Sequence, residues 1–180
     1  MNGLSHAQLV ALVGRMMTEH PEVREEMRDL VPAPDLADLE ETLACNKKNI
    51  YQAMPSTRLK SRKDSMAYNR VSGHLLAFKK AVTEGPKRLV DGHQWLSVVD
   101  YTVMAWGYVQ ATPIWDNYAH NNVRRACFKS LAGNCMLAIK KGGFSREQCA
   151  EIRKKLEKIE ADSEEMGACI KYLDTLVSNS

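Results

Sequence analysis

Apolar residues recur along this chain at helical spacing, and no segment alternates with the two-residue period of a strand. Leu9, Leu12, Val13 and Met16 open the series, behind Ser5-His6-Ala7-Gln8, which has the form of a capping box. His20-Pro21 breaks that helix and starts a short one reaching about Leu30, with Glu22, Glu25 and Glu26 near its positive end. Val31-Pro32-Ala33-Pro34 is a rigid turn, because each proline restrains itself and its predecessor. Asp35 then caps a long helix in which Leu36, Leu39, Leu43, Asn46, Ile50 and Ala53 alternate spacings of three and four. That is a heptad seam with one polar insertion. So narrow a seam predicts self-association of two hairpins, one per subunit, with Leu9, Leu12, Met16, Leu36, Leu39, Leu43 and Ile50 at the interface. The other reading is an arm that folds back on its own bundle.

Met54-Pro55-Ser56 ends the arm. The next helix runs from Asp64 or Ser65 to about Thr83, with Val71, Leu75, Phe78 and Val82 on its apolar face and Glu84-Gly85-Pro86 as a stop signal. The stretch His93 to Lys141 holds all three tryptophans, and no Lys or Arg occurs between Arg88 and Arg124. Trp95, Val98, Thr102, Trp106 and Val109 share one helical face while Leu96, Val99 and Val103 line another, the pattern of a buried helix. Thr112-Pro113 breaks it, and a helix from about Asp116 to Lys141 follows, ended by Gly142-Gly143. Ser145-Arg146-Glu147-Gln148 is a second capping box. It opens one long amphipathic helix marked by Cys149, Ile152, Leu156, Ile159, Ser163, Met166, Ile170, Leu173 and Val177. The expected fold is all-α: a helical hairpin arm (1–54), a basic linker (55–64) and an up-and-down bundle of four to six helices (65–180).

Composition sets bounds on this picture without changing it. A chain of 180 residues is one domain, or one domain with an arm, and buries enough apolar surface to need no metal or disulfide. Five cysteines, an odd number with no C-x-x-C pair, point to reduced thiols. The N-terminus lacks a signal-peptide pattern, and the longest uncharged run, Tyr101 to Trp115, is too short to span a bilayer. The net charge of +3 is concentrated in part at Lys47, Lys48, Arg58, Lys60, Arg62 and Lys63. A basic run of this kind serves as a nuclear import signal, a patch for anionic lipid or nucleic acid, or a solvated linker. No aromatic residues interleave with it, so base stacking has no support and nucleic acid is not an expected partner.

No phosphate loop, H-E-x-x-H, G-x-S-x-G or nucleotide fingerprint occurs. Asp116 and His120 lie one turn apart and could share a proton, but no third catalytic group accompanies them; the favoured reading is that Asp116 caps its helix while His120 and Asn122 bond to a neighbouring helix. Asp100, the one charge of the buried helix, calls for a basic partner, Arg70 or Arg124 first. Tyr68, Arg70, Arg124 and Arg125 either line a basic pocket for a phosphorylated peptide or are unconnected surface groups. The expectation is a non-enzymatic protein with no cofactor and no metal.

Several fragments in order resemble one family. They are His20-Pro21-Glu22-Val23, Leu30-Val31-Pro32-Ala33-Pro34, Tyr68-Asn69-Arg70-Val71-Ser72-Gly73-His74-Leu75, and Pro113-Ile114-Trp115-Asp116 with His120, Asn121 and Arg124. Their order and spacing are similar to those of the tethering factors that hold the proteasome in the nucleus. The resemblance covers roughly residues 4–141. It implies an N-terminal dimerisation arm, a helical bundle likened to 14-3-3 proteins, and no enzymatic activity. It also implies the proteasome and a second copy of the chain as partners, with nuclear-envelope lipid or an import receptor as further ones, and a location in the nucleus and at its envelope, with some in the cytoplasm. It marks Tyr68, Arg70, Trp115, Asp116, His120, Asn121 and Arg124 as family-like bundle positions. The best-known members carry a lysine-rich N-terminal extension used for proteasome contact. Here the nearest basic segments are Lys47-Lys48 and Arg58 to Lys63. Either they serve in its place, or the extension lies upstream of Met1, or the partner is engaged by another route.

Overall fold

A computed structural model describes residues 34–54, 62–112, 118–159 and 164–178, together with residues 5, 12, 13, 15, 16, 19 and 20; the side chains of 62–70, 118, 119, 164 and 165 lie outside the description. The described residues are helical, with no strand among them. Six helices are delimited: α1 (Leu36–Ala53), α2 (Arg62–Asp91), α3 (Trp95–Gln110), α4 (Tyr118–Lys141), α5 (Arg146–Glu157) and α6 (Glu164–Ser178). The chain divides into two compact units, Met1–Ala33 and Pro34–Ser180. In the first, residues 12, 13, 15, 16 and 19 are helical, and the expected short helix after Pro21 lies outside the described residues.

In the second unit the most apolar helix has the most neighbours. α3 packs against α1, α2, α4 and α5, while α4 also packs on α2 and α6, and α5 pairs with α6. Val98, Val99, Tyr101, Ala105, Trp106 and Val109 of α3 are wholly buried, as apolar residues on nearly all sides of a helix require. The buried Thr102 hydroxyl is satisfied within the helix, donating to the Val98 carbonyl at 2.8 Å. Trp106 stacks on Phe128 of α4, with ring centroids 4.1 Å apart. Four of the five free cysteines are buried and Cys45 is exposed. Burial pushes the Cys127 thiol up to about 12 and holds the Tyr101 hydroxyl well above its ordinary range.

The end signals at α1 and α5 form as their sequences imply. Asp35 accepts a hydrogen bond from the Ala37 amide at 3.1 Å. Ser145 and Gln148 make both bonds of a capping box.

Three expectations are corrected. Glu84-Gly85-Pro86 does not stop α2, which starts at Arg62 and runs to Asp91 with Pro86 inside it. A Cβ on Gly85 would lie 2.5 Å from Cζ and Oη of the buried Tyr101, so the glycine lets that ring of α3 sit against α2. The Tyr101 hydroxyl donates to the Ala81 carbonyl at 3.0 Å, one residue before Val82, whose carbonyl has no donor from Pro86. Tertiary contact thus carries the helix through a local breaker. It ends instead in a Schellman arrangement: the Gln94 amide donates to Leu89 and the His93 amide to Val90, with His93 at φ 55° in the place glycine usually takes.

The second correction concerns the last helix, which is two. In a continuous helix residues 21 apart would be about 31 Å apart, yet the Arg153 guanidinium donates to Asp174. α5 and α6 therefore fold against each other, and the heptad pattern reads across the break because both bury Leu156, Ile159, Met166, Ile170 and Leu173 into one core. The third is the partner of Asp100. Among the described residues it is Lys155 of α5, at 2.5 Å, and not Arg124; the Arg70 side chain lies outside the described residues. Both side chains are over a third exposed, so the pair fixes position more than it stabilises.

Candidate functional site

The seam of α1 packs within its own unit. Leu39, Leu43 and Ile50 are buried in the core shared with α2 and α3, and Leu36 and Ala53 pack at its margin. The seam's polar insertion, Asn46, donates its side-chain amide to the Thr42 carbonyl of its own helix at 2.8 Å. Leu39, Leu43 and Ile50 thus cover the chain's own bundle, while Leu36 stays partly exposed. Of the residues assigned to an interface, Leu12 and Met16 are exposed, at 44% and 41%, and Leu9 lies outside the described residues.

Of the six basic residues named, only Lys47 and Lys48 have described side chains. The Lys47 ammonium sits 5.3 Å from the Tyr108 ring centre and 6.0 Å from that of Tyr51. Tyr51 donates its hydroxyl to the Ala111 carbonyl at the end of α3, tying α1 to α3. Tyr108 donates to Glu40 at 3.4 Å, and burial followed by the Glu40 carboxylate raises its hydroxyl pKa. Lys48 is exposed; Arg62 and Lys63 fall in the first turn of α2 with side chains outside the description, and Arg58 and Lys60 lie outside the described residues.

Of the family-like positions, only His120, Asn121 and Arg124 have described side chains. Trp115 and Asp116 lie outside the described residues, so the Asp116–His120 pair does too, and Tyr68 and Arg70 are placed only by their backbone in α2. His120 is buried and Asn121 half-buried. The Arg124 guanidinium lies 5.3 Å from the Phe128 ring centre, and its Nε is buried with no hydrogen-bond partner. Arg125, next to it, is exposed, so the two arginines face different ways and form no common pocket among the described residues. No group of three His, Cys, Asp or Glu side chains able to hold a metal ion occurs among the described residues, and no helix there is long and apolar enough to cross a membrane.

One feature escaped the sequence reading. α4 carries Arg124, Arg125, Lys129, Lys140 and Lys141 and no acidic residue at all. Arg125, Lys129, Gly133, Leu137 and Lys141 are all exposed and follow one another at spacings of four, a row that winds about 160° around the helix from one end to the other. The acid-free run was visible in the sequence; which side of the helix stays open was not.

Comparison with known proteins then adds what the geometry alone does not. The family model described as Cut8, nuclear proteasome tether protein, matches residues 1–178. No curated protein matches the chain.

Proposed function

The chain belongs to the family of Cut8 nuclear proteasome tether proteins, and from that premise we propose that it is a non-enzymatic adaptor that holds the proteasome in the nucleus and so promotes protein degradation there. The observation that carries the reading is the family match over nearly the whole chain, arm and bundle together. A helical body, among the described residues, whose helices are capped and tied to one another as at Ser145–Gln148 and Tyr51–Ala111 suits a scaffold. Attachment at the nuclear envelope belongs to the same proposal.

Capture by the tagged chain from nuclear extract tests it. Proteasome subunits should be enriched over an unrelated helical bundle of similar charge, and equal recovery on the two would remove the reading. Self-association is proposed through the first unit, where Leu12 and Met16 are exposed. Light scattering should give twice the 20.3 kDa chain mass, falling to one mass in Leu12→Glu with Met16→Glu. A wild-type chain that scatters as a monomer would end that part of the proposal.

A further inference from the structure

We propose that Cys135 of α4 and Cys169 of α6 form an oxidation site, which a hydroperoxide converts into a reversible intrachain disulfide joining the two helices. Both thiols are buried, and α4 packs on α6. The Cys169 S–H donates to the Ala132 carbonyl, with the sulfur 3.5 Å from the oxygen. Ala132 lies about one turn before Cys135 on α4. A helical side chain leans back over the turn N-terminal to its own Cα, so the Cys135 thiol reaches the place where the Cys169 sulfur sits. The two thiols are in hydrogen-bonding contact there, and the Thr102 side chain of α3 also bonds to Cys135. The other cysteines answer to different neighbours. Cys149 donates to the Phe144 carbonyl at 3.8 Å, Cys127 interacts with Tyr101, and Cys45 is exposed.

The chemistry divides between the two sulfurs. The hydrogen bond from Cys135, aided by the Lys140 ammonium, holds the Cys169 thiol below its ordinary value against the effect of burial. Lys140 is held near α6, its ammonium 5.5 Å from the Tyr172 ring centre. Cys169 is therefore the attacking sulfur. Its thiolate attacks one oxygen of the hydroperoxide and the O–O bond breaks. The sulfur keeps a hydroxyl, and the other oxygen takes up the thiol's proton and leaves, as water when the oxidant is hydrogen peroxide. The Cys135 sulfur then attacks the Cys169 sulfur, the S–S bond forms, and the hydroxyl departs with the Cys135 proton as a second water. The pair gives up two electrons and two protons, and the peroxide takes up both. Hydrogen peroxide is close to water in size, so small local openings of the packing admit it. A thiol reductant reverses the bond by exchange. The bond closes a loop of about 35 residues that contains all of α5, so the α5–α6 pair is held to α4 covalently as well as by packing. The site stands apart from the tether reading, and its assay contains no proteasome.

Cys45→Ser in the full chain removes the exposed thiol and with it links between chains. Hydrogen peroxide, added under conditions that leave the helical circular dichroism of this variant unchanged, should lower its mass by two hydrogen atoms. Peptide mapping by mass spectrometry should find Cys135 joined to Cys169, and dithiothreitol should restore both thiols. The oxidised chain should melt about 5–10 °C higher than the reduced one. Adding Cys135→Ala should abolish the mass loss and leave a dimedone-reactive sulfenic acid at Cys169. No mass loss with the helices intact, or a bond that joins other cysteines, would overturn the proposal. A Cys135–Cys169 bond that forms only as the helices melt would overturn it as well, because the unfolded chain then supplies the contact.

Discussion

Replacing Gly85 by Ala should destabilise this protein, although a Gly-to-Ala change in the middle of a helix ordinarily stabilises by about 1 kcal/mol. The reason is the contact with α3. The new methyl would sit 2.5 Å from Cζ and Oη of Tyr101 and 2.9 Å from Cε2, where carbon atoms prefer about 3.5–4.0 Å. The ring has nowhere to retreat, since Tyr101 is wholly buried and its hydroxyl is held by the Ala81 carbonyl. Overpacking of this kind costs about 1–3 kcal/mol, and losing the hydroxyl bond adds about 1 kcal/mol. Position 85 also precedes Pro86, where a Cβ crowds the proline ring in helical geometry and erodes the usual gain. The net expectation is a loss of about 1–3 kcal/mol. Urea unfolding followed by helical circular dichroism measures it. Gly73→Ala, Gly107→Ala and Gly133→Ala serve as controls, because a Cβ at each meets nothing within 4 Å and each should gain up to about 1 kcal/mol. If Gly85→Ala shifts the midpoint upward with the controls, the close approach of α3 to α2 is not what keeps the glycine there.

Leu43→Glu should unfold the bundle or cost more than about 3 kcal/mol, because it puts a carboxylate at a wholly buried core position; a folded monomer by circular dichroism and light scattering would instead return α1 to an interface role. Stability should fall above about pH 9, where a cysteine in the unfolded chain ionises while buried Cys127, held up to about 12, stays neutral. The sign follows from the raised folded pKa: its stabilisation is complete below pH 9 and is lost as the pH climbs toward 12, amounting to about 2 kcal/mol at pH 10.5. Cys127→Ala should lack that part of the slope in urea titrations at pH 7 and 10.5. His93→Gly should raise the melting temperature, since relief of the left-handed backbone, worth about 1–2 kcal/mol, exceeds the loss of an exposed edge contact with Trp95; a lowered midpoint would show that the ring contact dominates.

The period of its apolar residues made this protein legible as a helical bundle, because burying one face of a helix needs only a repeat that the sequence displays. α3 could be read as the buried helix from its lack of charge, and Asp35 and the Ser145–Gln148 box from capping chemistry that acts within four residues. The ordered fragments around Pro32, Tyr68 and Trp115 carried the family. What each apolar face packs against was beyond the sequence. The heptad of α1 is the same pattern whether a second chain or the chain's own α2 and α3 cover it, and tertiary structure chose the latter for Leu39, Leu43 and Ile50. The Gly-Pro pair inside α2 reads locally as a stop, yet the contact with Tyr101 carries the helix past it. The partner of Asp100 lies 55 residues away on α5, a distance no local rule spans. Which positions of α4 stay exposed could be recognised only once α2, α3 and α6 had covered the others, because exposure belongs to the packed molecule and spacing to the sequence.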